Sequence, residues 1–179
     1  IAVFVHAQRT TSFNNTCLAL SQTTSSCVSH DQLNRTVKKQ DFVAVYSSLI
    51  WGEIPNGGYL ILDDTILQKY TRGLSIVFKL KDTKTGGFIL GVNVVLLVWT
   101  DGTRTIPVAF RIYSGKGVGK IRLALELLEQ AQVLGFTPEY VLFDSWYASQ
   151  TVLKFVEDLG WSFVTKLKKN RRLNGKPLK

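Results

Sequence analysis

The chain has 179 residues, 45% hydrophobic and 11% aromatic, which suits one sizeable core with a small appended domain and excludes a disordered protein. Lys and Arg number 22 against 13 Asp and Glu, and the formal charge of +9 favours a polyanionic partner, a property that other basic housekeeping proteins share. The longest apolar run, VVLLVW at 94–99, is far too short to cross a bilayer and no signal peptide is visible, so no membrane partner is expected.

Residues 1–58 are polar, rich in Ser, Thr, Asn and Gln, with two apolar patches, TCLALS and DFVAVYSSLIW. Between them, SHDQLNRTVKKQDF at 29–42 offers Ser29 as an N-cap and sets Leu33 and Val37 four apart on one face, so a small helical region is expected. A DNA-binding helix-turn-helix and a basic solvated helix both fit, the second being the commoner cause of such a pattern. Cys17 and Cys27 have no Cys or His at zinc-site spacing, which favours free thiols in a reducing cytosol over a disulfide. The start at Ile1 and the end in NGKPLK read as those of a fragment.

EIPNGG at 53–58 punctuates the passage into a main domain at 59–179. YLILDD at 59–64 then reads as a buried strand ending in Asp63 and Asp64. A polar connection with Lys69, Arg72, Lys79, Lys81 and Lys84 leads to GGFILGVNVVLLVWTDGTRTIPVAFRIYS, two β runs joined at Asp101-Gly102 as a hairpin. SGKGVGKI at 114–121 lacks the first Gly and the hydroxyl residue of a phosphate loop. Residues 120–134 place Ile121, Ala124, Leu125, Leu128 and Ala131 at helical spacing, with Gly135 as the stop. YVLF at 140–143 predicts a short strand running into Asp144, residues 149–160 a second helix with Val152, Phe155, Val156 and Leu159 on one face, and residues 161–169 a closing strand. The order implies an α/β fold with an antiparallel hairpin and parallel strands joined by crossover helices.

Residues just past the carboxyl ends of neighbouring parallel strands converge on one crevice. If strands 59–64 and 140–143 are neighbours, Asp64 and Asp144 meet there. Two carboxylates without a cation repel, and a hard divalent ion such as magnesium or manganese relieves that cost with one or two carboxylates plus water and phosphate. Two such ions about 3.5–4 Å apart suit phosphodiester cleavage. Singly, each Asp fits an N-cap better. Two apolar strands both ending in Asp, on a basic chain, favour the metal.

LILDDT and VLFDSWYAS, with GFILGVNVVLLVWTDGTRTIPVAFRIY between them and GWSFVTKLKKNRR after, resemble the catalytic core of DDE-type insertion-sequence transposases, whose fold is ribonuclease H-like. The resemblance spans roughly residues 30–175 by eye. It implies a small helical, DNA-binding N-terminal region at 1–58 and a ribonuclease H-like mixed sheet at 59–179. It also implies that the first acid of the triad lies within DDT and the second is Asp144. Asp64, directly before Thr65, is the expected ligand with Asp63 its rival, since adjacent strand residues point to opposite faces. Further implications are Mg2+ or Mn2+, cleavage and strand transfer at transposon ends, double-stranded DNA of ends and target as partner, and a dimer in the intact enzyme. The expected location is the bacterial cytoplasm, beside the nucleoid. The third acid, a Glu on a downstream helix, has no counterpart, because Glu157 and Asp158 follow the second Asp too closely. An inactive fragment is therefore expected, with a DNA-binding remnant and a related metal-dependent nuclease as alternatives.

Lys166, Lys168, Lys169, Arg171 and Arg172, in a segment without acids, suit a phosphate-tracking surface or a solvated tail. Trp146 and Tyr147 either stack on an unpaired base near the cut site or pack against the next helix. His6 and His30 have no partner pattern.

Overall fold

The computed structural model describes residues 29, 31, 32, 35, 54–70, 75–82, 85–168, 171–173 and 176–177. The chain divides into two compact units, Ile1–Gly52 and Glu53–Lys179. In the first, Asp31, Gln32 and Arg35 are helical, and the Ser29 hydroxyl accepts a hydrogen bond from the Gln32 amide at 3.2 Å, the N-cap expected there. Leu33, Val37, both cysteines and both histidines lie outside the described residues.

The second unit is a mixed sheet carrying two helices. Its elements are β1 (Tyr59–Gln68), β2 (Phe78–Lys81), β3 (Phe88–Thr100), β4 (Thr105–Tyr113), α1 (Lys120–Val133), β5 (Tyr140–Phe143), α2 (Gln150–Asp158) and β6 (Phe163–Thr165). A small ladder, β7 (Arg172–Leu173) with β8 (Lys176–Pro177), follows. The sheet order is β2-β3-β1-β5-β6, with β4 also on β3. β3 pairs antiparallel with β1, β2 and β4, whereas β1, β5 and β6 run parallel. The hairpin and the parallel crossovers are those implied by the sequence. Asp101 shapes the hairpin turn by accepting from the amides of Thr103 and Arg104 at 2.9 and 2.7 Å.

Alternation along the strands separates the two faces of the sheet. Leu60, Leu62, Val95, Leu97, Trp99 and Val141 share one face and are 1% exposed or less. That face meets α1, since Arg111, paired with Val95, donates to Gln130 of α1 at 2.8 Å. The other face carries Tyr59, Ile61 and Asp63 of β1 beside Leu96 and Val98, and here Phe110, Ile112, Tyr140 and Val164 remain exposed.

Several expectations change. β1 does not end at the two aspartates but continues to Gln68, because β3 pairs with it along its whole length; what stops at Leu62 is the pairing with β5. The lysine-rich connection contains a strand, β2, whose four residues pair only with the start of β3. The closing strand shrinks to Phe163–Thr165. On α1, Leu123 and Leu127 are buried while Ile121 and Leu125 are half-buried, because the helix packs against both the sheet and α2. Ile121 and Leu125 thus sit at the margin of a face wider than the expected stripe.

Gly58 has no room for a side chain: its φ is +68°, and a Cβ there would lie 2.7 Å from the Thr100 carbonyl oxygen and 2.9 Å from the Trp99 ring. The same ring donates its Nε1–H to the Gly57 carbonyl at 2.9 Å, which fixes this close approach. Gly58→Ala is expected to lose about 2–4 kcal/mol in urea unfolding. Gly102→Ala, at φ +90° in open space, should lose only about 1–2 kcal/mol. Equal losses would contradict the crowding at Gly58.

Candidate active site

β1 sends its two adjacent carboxylates to opposite faces. Asp64 follows Leu60 and Leu62 onto the helix-covered face. There it accepts from three side chains: Lys120 Nζ at 2.7 Å, Asn93 Nδ2 at 2.9 Å and the Tyr147 hydroxyl at 3.0 Å. These come from the first residue of α1, from β3, and from the connection between β5 and α2. Burial pushes the Asp64 pKa up, but the bonds from Lys120, Asn93 and Tyr147 and the Lys120 charge outweigh it and hold the carboxyl below its usual value. The Tyr147 phenol is pushed far up, first by burial and then by the negative charges of Asp64, Asp63 and Asp144. It therefore stays protonated and donates.

Lys120 stands where a cation is ordinarily unwelcome, at the N-terminus of a helix whose first turn holds no acid. Asp64 offsets that repulsion, and the pair is shielded, with side-chain exposures of 17% and 22%. Asn93 is buried, and its Nδ2 must face the carboxylate, because a flipped amide would set oxygen against oxygen. Its Oδ1 finds no hydrogen bond among the described residues.

Asp63 lies on the open face, exposed, with Oδ1 accepting from the Asp64 amide at 2.8 Å. The last parallel pair between β1 and β5 is Leu62 with Phe143, and Asp63 and Asp144 each come directly after it in the chain. Successive residues of β1 alternate in side, which puts Asp63 on the open face and Asp64 on the opposite one, while Asp144 lies one residue past the end of β5. Asp144 is exposed and its Oδ1 accepts from the Trp146 and Tyr147 amides at 2.8 and 3.4 Å. These bonds close a turn and do not cap α2, whose cap is Ser149, accepting from the Val152 amide at 3.3 Å. Among the described residues neither Asp63 nor Asp144 has an ion pair.

The two aspartate-bearing strands are parallel neighbours, as the expected meeting of their ends requires, and of the two adjacent aspartates Asp64 is the one bonded to Lys120. Carboxylates at these strand ends are the oxygen donors that Mg2+ or Mn2+ prefers, the remaining positions falling to water and phosphate. Among the described residues no group of three His, Cys, Asp or Glu side chains forms a metal cluster, so the set is a partial one. Glu157 and Asp158 are exposed at the end of α2.

Of the basic segment, Lys166 and Lys168 are exposed, and Arg171 donates to the Ala148 carbonyl at 2.9 Å. Lys169 and the side chain of Arg172 lie outside the described residues. Sequence reasoning missed Lys120, Asn93 and the role of Tyr147. Asn93 had a signal, a polar residue amid GVNVVLLVW. Lys120 had none within reach, since its partner lies 56 positions away.

Residues 57–177, more than half of the chain, match the family model of the transposase DDE domain. The chain belongs to this family. No curated protein matches it. Among solved structures, the DDE domain is similar in fold to the piggyBac transposase in its synaptic complex with hairpin DNA, with a TM-score of 0.54 and 13% identity over 96% of this chain and 41% of that one. A simian T-cell lymphotropic virus intasome bound to the PP2A regulatory subunit B56 gamma (TM-score 0.38, 15% identity, 87% and 48% covered) also matches. So does the Mos1 transposase paired-end complex with the left transposon end (0.32, 12%, 90% and 56%), but these two add nothing to the fold assignment. The mixed sheet is the ribonuclease H-like arrangement of transposases. The chain spans less than half the length of the piggyBac chain.

In this DDE domain the Asp64–Lys120 pair ties β1 to the start of α1. Lys120→Met leaves a half-buried carboxylate without its cation and is expected to lose about 2–3 kcal/mol in urea unfolding. Lys154→Met, on the exposed side of α2, should change stability by less than about 0.5 kcal/mol. Equal effects would contradict the tie.

Proposed function

We propose that this domain performs the phosphodiester chemistry of a DDE transposase, cleaving and joining DNA at transposon ends within the complete protein, and that Asp63 and Asp144 are its metal-holding pair. The observation that supports this is the parallel register, in which Leu62 pairs with Phe143 directly before Asp63 and Asp144, while Asp64 is bonded to Lys120. This proposal gives Asp63 the place that the sequence reading gave to Asp64 and keeps Asp64 as its rival.

Magnesium or manganese, when bound, would polarise the scissile phosphate and neutralise the charge that develops on it. The chain's own part is positional. The Trp146 amide on Asp144 and the Asp64 amide on Asp63 each engage one carboxylate oxygen and leave the other for the ion. Lys120 keeps the Asp64 charge from adding to the repulsion between the two ligands. Lys166, Lys168, Lys169, Arg171 and Arg172 follow the strand β6 that borders β5, and they supply positive charge for the DNA backbone. The described residues supply two of the family's three acids, so cleavage by them alone is not expected. Double-stranded DNA of transposon ends and target, a dimer that holds two ends together, and a place in the bacterial cytoplasm beside the nucleoid belong to the same proposal.

Calorimetry with Mn2+ tests it. Binding is expected, weakened about tenfold or more by Asp63→Asn and by Asp144→Asn, and retained in Asp64→Asn once its fold is verified by circular dichroism. Loss confined to Asp64→Asn and Asp144→Asn would restore Asp64 as the ligand. Absence of binding in the unaltered chain would favour a DNA-binding remnant without a working metal site.

A further inference from the structure

We propose that Trp146 is a stacking platform for an unpaired nucleobase beside the Asp63–Asp144 pair, an inference that rests on the DNA-processing function proposed above. The two aromatics after Asp144 have separate fates. Tyr147 is wholly buried with its hydroxyl on Asp64, so it does the packing that aromatics after a strand ordinarily do. Trp146 is 44% exposed and takes no part in that core.

Its position is fixed all the same. The Trp146 amide donates to Asp144 at 2.8 Å, and Tyr147 meets the indole edge-on, with centroids 4.9 Å apart at 72°. Lys120 Nζ lies 5.2 Å from the indole centroid, and that lysine is itself pinned by Asp64 at 2.7 Å. A large ring already held in place costs little entropy to use as a binding surface.

The surroundings select the ligand. A flat π surface beside cations suits a nucleobase on a phosphate chain, because every base has a π face and the chain carries the negative charge. Arg171, bonded to the Ala148 carbonyl, brings a guanidinium to the same connection that holds Trp146. The base must be unpaired or extruded, since inside a duplex both of its faces are covered by neighbouring pairs. A base stacked on Trp146 would set its own phosphodiester close to Asp144, two residues away in the chain.

The test is binding of a fluorescein-labelled single-stranded oligonucleotide to the intact chain, read by anisotropy, for the unaltered protein, Trp146→Ala and Trp146→Phe. A parallel series uses an oligonucleotide in which abasic sites replace the central bases. Trp146→Ala is expected to weaken binding of the normal oligonucleotide by roughly 5- to 100-fold, Trp146→Phe to keep most of it, and the abasic oligonucleotide to bind all three alike. Equal binding of the normal oligonucleotide by all three proteins would overturn the platform and leave the transposase reading standing. An equal loss with the abasic oligonucleotide would also overturn it, by showing that the indole acts through packing. No DNA binding by the unaltered chain would overturn both.

Discussion

The ion pair between Asp64 and Lys120 joins the first strand of the sheet to the start of its first helix, and the geometry around the pleat of β1 depends on it. A strand must alternate its side chains, so two adjacent aspartates cannot serve one purpose. One turns inward, where a carboxylate is tolerated only with partners, and Lys120, Asn93 and Tyr147 are those partners. The other turns outward to the open face. Lys120 thus neutralises the Asp64 charge from within the domain.

The same cluster sets the connection after β5. Tyr147 is drawn into the core by its bond to Asp64, and the turn between Asp144 and Tyr147 is closed by the Asp144 carboxylate. Trp146, one residue before Tyr147, is consequently held at the surface with Lys120 near its ring. Lys120 therefore links a buried charge to an exposed aromatic, although it belongs to neither strand that carries the acids.

Much of this was legible in the sequence. The Asp101-Gly102 hairpin, both crossover helices and the parallel pairing of the two aspartate-bearing strands rest on local signals of turn chemistry and periodicity. β2 was not legible, since FKLK is short and its pairing depends on the strand that follows, which begins at Phe88, rather than on its own pattern. The extent of β1 was misjudged because charged residues read as a strand end, whereas continuous pairing with β3 carries the strand past them. Which of Asp63 and Asp64 holds a metal is not legible in the sequence for a related reason. It depends on the register of β1 against β5 and on a lysine far along the chain, and neither is encoded locally.

The most direct measurement is anomalous diffraction from crystals of this chain grown with Mn2+, which locates the ion without reference to activity. A peak on the open face between the Asp63 and Asp144 carboxylates, with Lys120 still on Asp64, is the expected result. A peak on Asp64, with Lys120 displaced from it, would contradict the division of the two aspartates between a structural tie and a metal site.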